Sequence, residues 1–296
     1  MTDLTRNNIA ACQVHKQRPE YFFTDELKSG VVVFREDWMS ADSTVRRSLT
    51  NVLSSCASKA FLACLPENSV PIKLLPHLQK LASELKLTII AGLEHEVTWL
   101  PSSSMNKDYR NGAFIAENKF VVVRADDSEP SFGKKNFPAK VMAHTVLEQI
   151  ERSRSPEFNF FTIESPVGEV NVWPILCSDF LELSDRFPEE MDKAIRDEKI
   201  DLIAVLSHTH RPDTFRNTIE RLVAGGQRRP LPINILFTNF AAYGGTFCLA
   251  YDERQILRSN ATQFWEERIV LHEEESFRLF TDWSSASRAA RAAQPS

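Results

Sequence analysis

Three short stretches of the chain carry side chains able to do covalent chemistry. In WPILCSDF (173–180) an apolar run gives way to Cys177, Ser178 and Asp179. In AFLACLPEN (60–68) another ends in Pro66, Glu67 and Asn68, and in SFGKKNFPAK (131–140) Lys134 and Lys135 follow a turn and precede Pro138. A buried cysteine is most often a small hydrophobe. Cys177 differs because it stands where a strand stops, and open α/β sheets place their sites at the carboxyl ends of strands. A thiol with an ordinary pKa of about 8.5 is only a few per cent thiolate at neutral pH, so it needs a base and an oxyanion stabiliser to work as a nucleophile. Glu67 and the lysines are the groups that can supply them if the fold brings three distant segments together. Asp179 is expected to fix the turn that presents the thiol.

The elements that must position these groups are legible as periodicity. Strands are predicted over 9–14, 31–34, 60–65, 87–92, 112–116, 119–123, 158–163, 170–177, 202–207, 233–239 and 246–251, several of them bounded by Pro, Asn, Asp or Gly. Leu74, Leu75, Leu78, Leu81 and Leu85 recur at helical spacing and form one apolar stripe. Val45, Leu49, Val52 and Leu53 do the same in an earlier helix, and Phe215, Ile219 and Leu222 in a later one. Strands alternating with helices define an α/β layered domain, and the adjacent strands near 112–123 point to hairpins and a mixed sheet. The stretch SDFLELSD after Cys177 reads as polar and turn-like. Trp173-Pro174 is a puzzle within a strand: proline deletes a ladder donor, which calls for a bulge or for a strand partly exposed on one side.

Bulk composition narrows the class. With 296 residues and 43% hydrophobic content the chain can fill one large core, read as a single domain over 1–283 with a polar surface insertion near 15–30 and a frayed tail at 284–296. The net charge of −5, without a block of like charges, lacks the basic footprint of a nucleic-acid binder. Neither a signal-peptide pattern at the N-terminus nor a run of about 18 apolar residues occurs, so no membrane partner is expected. Five scattered cysteines without a CxxC pair argue against a disulfide framework or a zinc knuckle and for a reducing, cytoplasmic setting. His208 and His210, two apart, are compatible with a metal, but Asp213 is the only obvious third ligand nearby, so no metal is expected and the pair reads as satisfied loop histidines or as pocket lining. Gly244-Gly245 belongs to no GxGxxG or GxxxxGK pattern, which leaves backbone freedom rather than nucleotide binding as its use, with Asn239 capping or orienting that turn.

The sequence resembles the nitrilase, or carbon–nitrogen hydrolase, superfamily over about residues 8–272. The likeness is carried by CLPEN, KNFP and ILCSDF in the family's order, by TNFAAYGGT (238–246), and by IAACQV and LTIIAGLEHE. It implies a four-layer αββα sandwich of two mixed β-sheets and a homodimer or larger homo-oligomer. By match, Glu67 would be the general base, Cys177 the nucleophile, and Lys135, chosen over Lys134 and Lys140 by its KxxP spacing, the oxyanion partner together with the Ser178 N–H. Glu148 is the candidate for a second, substrate-orienting carboxylate, and His208 and Asn239 would border the pocket. Phe137 stands where the family commonly has histidine. The implied activity is cofactor-free hydrolysis of a small amide, nitrile or N-carbamoyl substrate through a thioester. The alternative is a non-catalytic nitrilase-like domain used for binding or regulation.

Overall fold

A computed structural model describes residues 6, 8–15, 33–34, 44–99, 114–137, 156–166, 168–224, 233–250, 265–266 and 276–280. In one sheet the parallel strands β1 (Asn8–Gln13), β2 (Ala60–Val70) and β3 (Thr88–Leu93) lie side by side. It is extended antiparallel by β14 (Ser276–Phe280) on one edge and by β6 (Lys119–Val123) and β7 (Ser131–Lys134) on the other. The second sheet repeats the plan, with β9 (Gly168–Leu176), β10 (Leu202–Leu206) and β11 (Asn234–Thr238) parallel. Antiparallel β8 (Phe161–Ser165) adds to β9, and β12 (Phe247–Ala250) followed by β13 (Trp265–Glu266) adds to β11.

Period-two alternation builds the layers. Ile9, Ala11, Leu62, Cys64 and Ile90 of the first sheet meet Val170, Val172, Leu202, Ala204 and Leu236 of the second in one core between the sheets. The intervening residues face outward: Ala10, Cys12, Ala63 and Ile89 pack under helices α1 (Thr44–Ala57) and α2 (Leu75–Leu85). Ile203, Val205, Ile235 and Phe237 pack under α3 (Ser178–Arg186), α4 (Pro188–Asp197) and α5 (Pro212–Ala224). The result is the expected αββα sandwich of two mixed sheets.

Several local expectations are corrected. The strand at 112–116 does not form a hairpin with the one at 119–123: β5 (Phe114–Glu117) pairs with β4 (Glu96–Trp99) in a separate ribbon, and β6 turns back through β7. The segment SDFLELSD is the first turns of α3, whose buried face is Asp179, Phe180, Glu182 and Leu183. Half of that face is acidic, which hid its helical spacing. Of the two readings of Pro174 the bulge is not found: β8 pairs with β9 only as far as Val172, so among the described residues the proline, level with Ala204 of β10, meets no strand on its other side. Rings of Phe158 and Phe160 cover the adjacent Trp173 instead, at 5.0 and 5.3 Å. Of the segment 15–30 only His15 is described, and the tail at 284–296 lies outside the described residues.

Phe237 is fully buried on β11, with the rings of Phe215 and Phe247 at 5.1 and 5.0 Å. Phe237→Ala is expected to cost about 3–5 kcal/mol of stability, read as a lower urea midpoint at an unchanged slope.

Candidate active site

Glu67 owes its position to a bulge. Pairing of β2 with β3 runs from Leu62 opposite Thr88 to Leu65 opposite Ala91 and resumes only at Val70 opposite Leu93. The residues from Pro66 to Ser69 therefore bow out against Gly92 alone, with Asn68 at φ 55°. The strand does not end at Pro66, as its sequence implied, but is thrown sideways there. Gly92 is what permits the approach: a Cβ at that residue would lie 2.3 Å from Glu67 Cα and 2.6 Å from Pro66 O.

Alternation on β7 separates the two lysines. Lys134 points outward and pairs with Glu117, whereas Lys135, just past the strand end, is buried. Its Nζ donates to Glu67 Oε1 at 2.9 Å, with both side chains less than 5% exposed. Asn118, in the β5–β6 connection, donates to the same oxygen at 2.7 Å, and its carbonyl accepts the Lys135 N–H at 3.0 Å. Both side-chain bonds described for Glu67 fall on Oε1, which leaves Oε2 as the oxygen that can exchange a proton.

Asp179 fastens this loop to α3. Its carboxylate accepts the N–H groups of Asn136 at 2.6 Å and Phe137 at 2.8 Å, and the Asn136 side chain at 3.2 Å. It thus acts on the lysine segment, a longer reach than the local turn expected of it. Burial raises its pKa to about 7, opposed by the Lys135 charge and the donated N–H groups. The ring of Phe137 stacks on Phe187 with centroids 5.6 Å apart.

Cys177 links β9 to α3 with φ 35° and ψ −108°, a conformation that costs a non-glycine residue on the order of 1–3 kcal/mol. Its N–H is held by Leu206 O at 2.8 Å, and its Sγ lies 3.4 Å from Ser207 Oγ. Burial, then the Glu67 carboxylate, push the thiol up to about 12, while Lys135, Ser207 and the His208 N–H pull the other way. The sulfur therefore rests protonated, within the fields of both Glu67 and Lys135. Ser178 opens α3, where backbone N–H groups lack intrahelical acceptors, and its Oγ donates to Phe137 O at 3.3 Å.

The remaining expected residues divide. The half-buried ring of His208 stacks on Phe240 at 4.2 Å and on Tyr243 at 5.7 Å, and its Nδ1 lies 3.4 Å from the Asn68 side chain. Burial, then His95, His15, Lys135 and His210, lower its pKa to about 3, so the ring is neutral. Asn239 is fully buried and its amide bonds to Thr209 N, Thr209 O and Gly244 O, bracing two loops rather than offering itself to a ligand. Gly244 and Gly245 do take positive φ, 65° and 78°. Glu148 and Lys140 lie outside the described residues. Asn118, Gly92 and Ser207 escaped the sequence reading because a lone amide, glycine or serine carries no motif; only contact with Glu67 or Cys177 reveals them.

No protein-family model matches the chain, and no curated protein sequence matches it. Solved structures do. An amidase from Nesterenkonia sp. aligns at 12% identity and TM-score 0.53 over 93% of this chain and 89% of its own. Nit3 of Saccharomyces cerevisiae, a member of branch 10 of the nitrilase superfamily, aligns at 14% identity and TM-score 0.53 over 97% and 94%. The chain has the nitrilase-superfamily fold.

Two predictions follow from this geometry. Gly92→Ala is expected to displace Glu67 and to cost about 1–3 kcal/mol of stability through overpacking, measured by chemical denaturation. Asp179 holds its proton to about 7 when folded against an ordinary 3.8, so between these values the folded state carries more protons than the unfolded one and stability falls as pH rises. Asp179→Asn should flatten that part of the stability–pH curve; an unchanged slope would refute the assignment.

Proposed function

We propose that the chain is a cysteine-dependent hydrolase of non-peptide carbon–nitrogen bonds, acting on a small amide, nitrile or N-carbamoyl compound. The observation that carries this reading is the buried 2.9 Å pair of Lys135 and Glu67, both of whose charges act on the Cys177 thiol. A buried ion pair alone is structural as often as functional. One that shares its surroundings with a thiol at a strained strand–helix junction fits a catalytic use better. In one structure of the Nesterenkonia amidase the acetamide moiety of fluoroacetamide is covalently added at its active-site cysteine. Another holds butyramide. Small amides are accordingly the first substrates to try here.

For an amide the chemistry runs as follows. Glu67 takes the thiol proton as Sγ forms a bond to the carbonyl carbon, and the π electrons of the C=O move onto oxygen. Lys135 Nζ and the Ser178 N–H hold the resulting oxyanion, where one donor is worth about 3–4 kcal/mol. Collapse breaks the C–N bond; the leaving nitrogen takes the proton from Glu67 and departs as amine or ammonia, leaving a thioester on Cys177. Water, deprotonated by Glu67, then attacks the thioester carbon. Release of the carboxylic acid returns the electron pair to sulfur and the proton to the thiol.

Assay of a panel of small amides, nitriles and N-carbamoyl compounds tests the reading. At least one compound should be turned over by the wild type and not by Cys177→Ala, and Glu67→Gln should lose about 10²–10⁴-fold in rate. No turnover of any compound, or turnover that survives Cys177→Ala, contradicts it.

A further inference from the structure

Ser207 follows β10 directly and is fully buried, with its N–H held by Thr238 O at 2.9 Å. It sits one strand over from the nucleophile's own: β9 and β10 run parallel with Leu176 opposite Leu206, so residues 177 and 207 leave the sheet together. The Cys177 N–H bonds to Leu206 O at 2.8 Å, and Sγ lies 3.4 Å from Ser207 Oγ. The next backbone N–H, that of His208, also points at the sulfur. A hydroxyl carries both one donor and acceptor lone pairs. This one can accept from the resting thiol and turn to donate when the sulfur is charged.

We propose that Ser207 is a further catalytic residue, whose hydroxyl, beside the His208 N–H, forms a two-donor cradle for the Cys177 thiolate. The inference rests on the hydrolase reading and adds a partner that the Glu67, Lys135 and Cys177 set does not contain. In the resting protein the thiol and the Ser207 hydroxyl share the 3.4 Å contact, in which either can donate. As Glu67 takes the thiol proton, the Ser207 O–H swings to donate to Sγ, and no bond of Ser207 breaks. The cradle works on the step that is hardest here, ionising a sulfur that burial and a neighbouring carboxylate both oppose. Hydrogen bonds to a charged partner are about twice as strong as neutral ones, so the hydroxyl contributes more to the thiolate than to the thiol.

The test is the rate of alkylation by iodoacetamide, site by site and across pH, followed by peptide mass mapping of the intact chain. Ser207→Ala should slow alkylation of Cys177 about tenfold at neutral pH and move the midpoint of its rate–pH profile upward, with Tm nearly unchanged. Ser207→Gly, which deletes the same hydroxyl without adding bulk, should do likewise. Ser207→Thr, which keeps the hydroxyl, should stay within about threefold of wild type. If wild-type Cys177 reacts well ahead of the other four cysteines and keeps its rate and midpoint in whichever of the Ala and Gly variants folds, the role of Ser207 is refuted while the hydrolase reading stands. If wild-type Cys177 reacts no faster than the others, the hydrolase reading falls and the cradle with it.

Discussion

An ammonium and a carboxylate sit together in a place where neither would be tolerated alone. Desolvating either charge costs several kcal/mol, and the short contact between Lys135 and Glu67, with the added amide of Asn118, offsets that cost. Their positions are therefore conditional on one another, and each is fixed from behind. A bulge lying flat against Gly92 aims Glu67; Asn118 and Asp179 hold the backbone on either side of Lys135. The Cys177 sulfur stands in the field of both. Burial, then the carboxylate, keep it protonated and the ammonium favours its ionisation, an arrangement that holds the proton on sulfur until Glu67 takes it.

The layered architecture explains why such a site can exist on segments this far apart. Each sheet contains three parallel strands, and the face-to-face core of Ile9, Leu62, Ile90, Val172, Leu202 and Leu236 sets the two sheets against each other. Glu67 comes from the middle of the first set, Cys177 from the end of β9, and Ser207 and His208 from the end of β10. Contacts between Asn68 and His208, and between the loop after β7 and α3, join the two sheets at that rim. The strained φ of Cys177 is sustained by the ladder bond to Leu206 and the helix that starts at the next residue.

The central strands and the helices beside them were legible because their signals are local: apolar runs of strand length, and leucine or valine stripes at helical spacing in α1 and α2. The four-layer sandwich itself was implied by the family resemblance. Choosing Lys135 over Lys134 was possible from the KxxP spacing, and strand alternation gives the physical reason. Other features depend on distance in space. Nothing in SDFLELSD announces a helix, because Asp179 and Glu182 occupy its buried face. Nothing local tells that Phe114–Glu117 pairs with Glu96–Trp99 and not with its nearer neighbour. Asn239 was read from its place before Gly244-Gly245 as orienting that turn, and its amide does bond to Gly244 O as well as to both backbone groups of Thr209. Asp179 was expected to fix the turn at Cys177, but its carboxylate holds the backbone of Asn136 and Phe137.

The most direct test of the central claim is to catch the covalent intermediate. Acid quenching during turnover of a small amide, followed by peptide mass mapping, should find the acyl group on Cys177 and on no other residue, as a thioester released by hydroxylamine. Consumption of the amide with Cys177 unmodified at every quench time, or with the acyl group on a different side chain, would contradict the convergence of Glu67, Lys135 and Cys177 as the reacting centre.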